Sequence, residues 1–256
     1  IMYAVALVLT FLGTVLISKK LIPILKSHKM GQKILEIGPR WHKSKEGTPT
    51  MGGIAFIIPS VIVGMAGSVY LGITDGIRES LPLVFTVALG LAGGLIGCID
   101  DSAKLRKKQN EGLTAPQKFA LQFVVSALYL LGMSLVCKMD TEIYFPFFDK
   151  SVNFGIFYYV VAMLLLTGIM NSVNLTDGID GLCSSVTLVV GLFFTAAGYM
   201  NSLAEPDGTL TLLGAILIGS CAGFLVYNFY PARVFMGDTG SLYLGGLVVG
   251  LSLIHI

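Results

Sequence analysis

Leu81-Pro82-Leu83-Val84-Phe85-Thr86-Val87-Ala88-Leu89-Gly90-Leu91-Ala92-Gly93-Gly94-Leu95-Ile96-Gly97-Cys98-Ile99 runs without a single charge and then meets Asp100-Asp101. A hydrocarbon core takes about 20 apolar residues as a helix, so the stretch predicts one membrane span. It lacks the alternating pattern of an outer-membrane barrel strand. Its four glycines suit helices that pack backbone to backbone in lipid.

Seven more runs share this character: Met2–Ile17, Met51–Ile73, Phe119–Val136, Phe154–Met170, Leu182–Met200, Leu210–Tyr227 and Leu242–Ile254. The expected fold class is therefore all-α, a polytopic membrane helical bundle with eight transmembrane helices. Composition agrees. Of 256 residues 54% are hydrophobic and only 12% charged, roughly half the charged share of a soluble domain, and mean hydropathy is +0.81. These values exclude a disordered chain, and 31 glycines without a G-X-Y period exclude collagen. A net charge of +2 gives no pull on polyphosphate backbones, so no nucleic acid is expected as a partner. With no repeat, low-complexity tract or dividing linker, residues 1–256 read as a single integral-membrane domain. The first run has neither a basic leader nor a small-residue cleavage site before Ser18, and reads as a true helix.

Lys and Arg near helix ends stay in the cytoplasm. Eight basic residues separate the first two runs, five separate the third and fourth, and Arg233 separates the last two, whereas the alternate loops hold only Arg78, Lys138 and Lys150. The odd-to-even loops are thus expected in the cytoplasm and the N-terminus outside. Cys98, Cys137, Cys183 and Cys221 lie singly, without metal-ligand spacing, and read as packing residues.

Four segments on the cytoplasmic side carry an unusual polar pattern. Lys45-Glu46-Gly47-Thr48-Pro49-Thr50-Met51-Gly52-Gly53 enters the second span with hydroxyls to cap free N–H groups and a glycine pair for close backbone approach. Asp100 and Asp101 end the third span, about 100° apart on a helix, so they must serve different partners. One is expected to face a metal or phosphate while the other pairs with Lys104 at i+3. Asn174-Leu175-Thr176-Asp177-Gly178-Ile179-Asp180-Gly181 holds two carboxylates and no local cation, which requires a metal, a base from another loop or a ligand. In Asn228 to Leu242, Asp238 lies between glycines, Thr239 or Ser241 is placed to cap the last helix, and Phe235 offers a face for a base. Carboxylates for a hard cation, lysines for phosphates and an aromatic beside a glycine turn are what a nucleoside diphosphate requires, and a site at the membrane face suggests a lipid co-substrate.

The motifs KEGTPTMGG (45–53), IDDSAK (99–104), GLTAPQK (112–118), NLTDGIDGL (174–182) and NFYPARVFMGDTGSL (228–242) resemble the phospho-N-acetylmuramoyl-pentapeptide transferase family, within the polyprenyl-phosphate N-acetylhexosamine-1-phosphate transferases. The resemblance implies Mg²⁺-dependent transfer of phospho-MurNAc-pentapeptide from UDP-MurNAc-pentapeptide to undecaprenyl phosphate, giving lipid I and UMP in peptidoglycan synthesis. It implies Asp238 as metal ligand and catalytic residue, with Asp100 and Asp101 as the catalytic acidic pair. Asn174, Asp177, Gly178 and Asp180 would form the nucleoside and catalytic pocket, Phe235 would stack on uracil, and Lys45, Thr50, Lys104, Lys118 and Asn228 would line the substrate site. Whether Asp100 acts as base or positioner stays open. The resemblance also implies a bacterial cytoplasmic-membrane enzyme with its site facing the cytoplasm, a homodimer among membrane lipid, and nucleoside inhibitors as ligands. The family has ten spans and a His-rich loop, so this chain is expected to lack the C-terminal helices. A sister activity transferring GlcNAc-1-phosphate from UDP-GlcNAc to the same lipid is the alternative. A transporter of anionic solutes would place its charges near the bilayer midplane, unlike this chain.

Overall fold

The computed structural model describes residues 1–27, 47–107, 112–145, 148–201 and 208–255. Its long elements are α1 (Met2–Ser27), α2 (Ile54–Thr74), α3 (Ile77–Lys107), α4 (Ala115–Leu135), α5 (Ile156–Thr176), α6 (Leu182–Asn201), α7 (Gly208–Asn228) and α8 (Gly237–His255). All eight are long and apolar enough to cross a membrane, the number expected, and the chain is an all-α polytopic bundle. One small addition is an antiparallel hairpin between α4 and α5, with β1 (Glu142–Phe145) paired to β2 (Lys150–Asn153) from Glu142↔Asn153 to Phe145↔Lys150. Ile143, Tyr144 and Phe145 favour a pleated, half-covered surface, but four-residue strands are too short for hydropathy to reveal.

Several helices outrun the apolar stretches that announce them. α1 continues past Ile17 to Ser27, keeping Lys19 and Lys20 exposed while Leu25 is buried. α3 continues to Lys107, α5 runs on to Thr176, and α8 starts at Gly237, before Leu242. Hydropathy detects where lipid-compatible residues stop, whereas a helix stops where its backbone bonds or its packing fail. Asn174 and Asp238 consequently stand on helices, not in connecting loops, and Asp100 and Asp101 lie on α3 as their helical reading expects.

α7 and α8 form the buried centre, while α1, α4, α5 and α6 turn most of their surface outward. α3 and α5 flank α8, α1 and α6 flank α7, and α2 bridges the two groups. Cys183 and Cys221 pack in the core beside Phe224, and the Phe224 ring meets Phe56 edge-on at 5.2 Å. Leu9, Leu12 and Leu16 of α1 and Leu164 of α5 are exposed, as apolar side chains facing lipid would be. The glycines of α3 face α8. A Cβ on Gly93 would lie 2.6 Å from the Leu242 carbonyl oxygen, and one on Gly97 would run into the backbone of Asp238. Only glycine permits this approach, and it sets Asp100 and Asp101 beside the first turn of α8.

Candidate active site

Asp100, Asp101 and Asp238 converge, with one carboxylate oxygen from each within 4.8 Å of the others; Asp100 and Asp101 are buried and Asp238 partly so. The adjacent carboxylates divide their work, as their angular separation on a helix requires. Asp100 takes Lys104 Nζ at 2.6 Å and the Leu113 N–H at 2.8 Å. Asp101 reaches across to α8, accepting the backbone N–H groups of Asp238 at 3.2 Å and Thr239 at 2.9 Å and the Thr239 hydroxyl at 2.7 Å. Two sequence expectations change here. Lys104 pairs with Asp100 at i+4, not with Asp101 at i+3, because Asp101 faces the neighbouring helix. The N-terminus of α8 is capped by Asp101 from α3, while Thr239 and Ser241 lie inside the helix. A carboxylate at a helix N-terminus meets the positive end of the dipole.

Asp238 is the hub. Its Oδ2 accepts Lys104 Nζ at 2.9 Å and Lys118 Nζ at 2.8 Å, and its Oδ1 accepts Asn174 Nδ2 at 2.9 Å. Lys118 Nζ also donates to Asn174 Oδ1 at 3.2 Å, and Asn174 Nδ2 donates to Ser241 Oγ at 2.7 Å. Lys118 owes its place to the start of α4, where Thr114 and Gln117 form a reciprocal capping box with Pro116 in the first turn. The site thus draws on α3, α4, α5 and α8.

Asp177 follows α5 as its C-cap residue. Burial, then the carboxylates of Asp238, Asp101 and Asp180, push its carboxyl well above the ordinary range. No hydrogen bond or ion pair reaches that side chain among the described residues. Among the described residues Lys104 and Lys118 are the cations paired with Asp100 and Asp238, while Asp101 and Asp177 add two more carboxylates, a surplus of negative charge with hard oxygen donors that fits a divalent ion. Thr50 adds a buried hydroxyl without a partner. A Cβ on Gly237 would sit 2.7 Å from it and 2.5 Å from Asp101 Oδ2, so Thr50 borders the cluster.

The remaining predicted residues lie at the end of α7 and in the adjoining loops. Asp180 accepts the Ala232 N–H at 3.1 Å. Asn228 is buried and ties two loops, accepting the Gly181 N–H at 3.2 Å and donating to the Val234 carbonyl at 3.0 Å. Gly178 is exposed and Phe235 partly so. The Phe235 N–H bonds the Pro49 carbonyl at 2.9 Å, and its carbonyl takes the Gly52 N–H at 2.8 Å. That ladder replaces the hydroxyl caps expected for α2, whose N-cap is Gly53 without a side-chain bond. The glycine pair serves as expected, since a Cβ on Gly53 would strike Gly240. Lys45 lies outside the described residues.

Ser241, Thr239, Leu113 and the glycine before it are parts of the site that sequence reasoning did not single out for it. A Cβ on Gly112 would lie 2.5 Å from Asp100 Oδ1, so this glycine lets the Leu113 N–H reach the carboxylate. Their shared signal was proximity to the GLTAPQK and GDTGS motifs, but backbone donors and small residues carry no charge pattern.

Residues 82–256 match the family model described as glycosyl transferase family 4, and residues 45–57 match phospho-N-acetylmuramoyl-pentapeptide-transferase signature 1. The chain is 45% identical over 240 residues to the phospho-N-acetylmuramoyl-pentapeptide-transferase of Heliobacterium modesticaldum, covering 93% of this chain and 70% of that protein. It is 43% identical over 228 residues to that of Clostridium novyi (89% and 66%) and 39% identical over 250 residues to that of Clostridioides difficile (96% and 73%).

Proposed function

The chain belongs to glycosyl transferase family 4 and, within it, to the phospho-N-acetylmuramoyl-pentapeptide transferases, and from that premise we propose that it transfers phospho-MurNAc-pentapeptide from UDP-MurNAc-pentapeptide to undecaprenyl phosphate. The products are lipid I and UMP. The observation that carries this reading is the convergence of Asp100, Asp101 and Asp238 with Lys104 and Lys118. In the reaction an oxygen of the lipid phosphate bonds to the phosphorus bearing the sugar. The bridging P–O bond to uridylate breaks, and UMP leaves with the electron pair.

Mg²⁺, held by Asp238 with Asp100 and Asp101 close by, would supply charge neutralisation to the diphosphate. Lys104 and Lys118 bring further positive charge to the same point, and their release from Asp238 frees them for phosphate oxygens. The acceptor phosphate is already largely ionised near neutrality, so the chemistry needs positioning and electrostatics more than a base. Asp100 fits a positioning role, because both its oxygens are engaged, by Lys104 and by the Leu113 N–H. Asn174 orients Asp238. Asp177, Gly178, Asp180 and Phe235 form the nucleoside side, Asn228 braces it, and Thr50 completes the polar wall, while Lys45 is assigned to substrate binding by its KEGTPTMGG motif alone.

The basic residues of the odd-to-even loops support a cytoplasmic-membrane enzyme whose site faces the cytoplasm, where a nucleotide donor is available. The test is UMP release by the detergent-purified protein from UDP-MurNAc-pentapeptide, with and without undecaprenyl phosphate and Mg²⁺, beside UDP-GlcNAc. Release that requires donor, lipid and metal together is expected. Turnover of UDP-GlcNAc alone would move the enzyme to the sister activity.

A further inference from the structure

Inside the bundle, one turn beneath the site, two amide side chains bond each other. Gln122 Nε2 on α4 donates to Asn171 Oδ1 on α5 at 3.2 Å, and Asn171 Nδ2 donates back to Gln122 Oε1 at 2.6 Å and to the Thr167 carbonyl at 2.8 Å. Gln122 is fully buried, although its neighbours Leu121, Phe123 and Val124 are exposed on the outer face of α4. An amide removed from water costs free energy unless its donors and acceptor are matched, and an apolar pair would fill the same space without that cost. The reciprocal geometry gives something apolar packing does not: a fixed distance and a fixed register between two helices.

The register is what matters. Lys118 precedes Gln122 by one turn, and Asn174 follows Asn171 by one turn. Because the helices are antiparallel in this region, Lys118 and Asn174 form the next rung, joined at 3.2 Å, and both reach Asp238. Among the described residues the other side-chain hydrogen bond between α4 and α5, Ser134 with the Tyr159 hydroxyl at 2.8 Å, lies toward the far end of α4. We infer that Gln122, through its reciprocal amide pair with Asn171, is a positioning residue that sets the Lys118 ammonium and the Asn174 amide on Asp238. The inference rests on the assignment of Lys118 and Asn174 to the site. A misplacement of about 1 Å at such groups can cost on the order of 100-fold in rate.

The experiment compares Gln122→Leu, the exchanged pair Gln122→Asn with Asn171→Gln, and Ser134→Ala in the detergent-purified protein. One readout is steady-state UMP release from UDP-MurNAc-pentapeptide. The other needs no turnover: the rate at which a water-soluble acylating reagent modifies the Lys118 amine, followed by peptide mass spectrometry. The expected result for Gln122→Leu is a loss of about tenfold or more in kcat with the donor KM little changed, together with faster Lys118 acylation. The exchanged pair should recover part of both, and Ser134→Ala should move neither. Wild-type kcat and Lys118 protection in Gln122→Leu would overturn the inference, as would equal losses in Ser134→Ala. Should Gln122→Leu fail to fold, the shorter amide of Gln122→Asn alone decides by the same two readouts: a lower kcat with faster Lys118 acylation, partly restored in the exchanged pair, supports the role, and wild-type values in Gln122→Asn overturn it. If the wild type itself releases no UMP, the proposed function fails, while the acylation rates still test whether the Gln122–Asn171 pair positions Lys118.

Discussion

The carboxylate of Asp101 on α3 accepts both the backbone N–H and the hydroxyl of Thr239 on α8, at 2.9 and 2.7 Å. One helix thereby caps another, and the same contact fixes Asp238 next to Asp100. Replacing the cap should therefore cost stability as well as activity. Asp101→Ala is expected to lower unfolding stability by about 1–2 kcal/mol, the usual worth of a lost N-cap, whereas Asp101→Asn retains an acceptor oxygen and should lose less. Thermal unfolding in detergent, measured for both variants at one pH, checks the order; equal losses would separate the cap from the stability.

Asp238 receives Lys104, Lys118 and Asn174 at once. Asp238→Asn keeps the size and one acceptor but removes the charge that both ammonium groups share. The variant should lose turnover by a factor of about 10³ or more, and the rise in melting temperature that Mg²⁺ is expected to give the wild type should be absent from it. Melting curves with and without Mg²⁺ separate these effects from general unfolding. An ion-dependent shift that survives in Asp238→Asn would place the cation elsewhere.

The number of helices was legible in the sequence because lipid imposes one simple demand, a run of apolar residues near 20 long. Their ends were not. Asn174 and Asp238 look like loop residues by hydropathy, yet they stand on α5 and α8 and bond each other at 2.9 Å. The charged members of the site were equally legible, since carboxylates and lysines at a membrane face are costly unless they serve something. Which of them pair was hidden, because Asp100 and Asp101 differ only in direction around α3, and direction depends on where α8 lies. Gln122 was invisible for another reason. A single amide in an apolar run carries no pattern until its partner, 49 residues away, is placed beside it.

Gly97 and Gly168 offer a paired test of backbone contact. A Cβ on Gly97 would meet the Asp238 backbone, while one on Gly168 finds nothing within 4 Å. Gly97→Ala should push α3 away from α8, destabilise the protein by about 1–3 kcal/mol as overpacking does, and reduce turnover through displacement of Asp100 and Asp101. Gly168→Ala should leave both properties near wild type. Similar melting temperatures for the two variants would show that α3 and α8 adjust without cost.

Asp177 provides the pH dependence. Its carboxyl is held well above the ordinary value by burial and by Asp238, Asp101 and Asp180. A raised carboxyl binds its proton more tightly in the folded protein than in the unfolded chain. The stability it contributes is present in full below the unfolded value of about 3.9 and is lost as pH rises toward the raised folded value, with a slope of at most about 1.4 kcal/mol per pH unit. Without a divalent ion, the wild type should lose stability across that window. Asp177→Asn, which cannot ionise, should lack this part of the slope and melt higher than the wild type at the alkaline end. Its turnover should nevertheless fall, because the negative charge that destabilises the metal-free protein is part of what attracts the cation. Melting curves of both proteins in chelator from pH 5 upward measure the slope. Parallel curves would mean that the carboxyl titrates as it does in the unfolded chain, and that its surroundings exert no net effect on the proton.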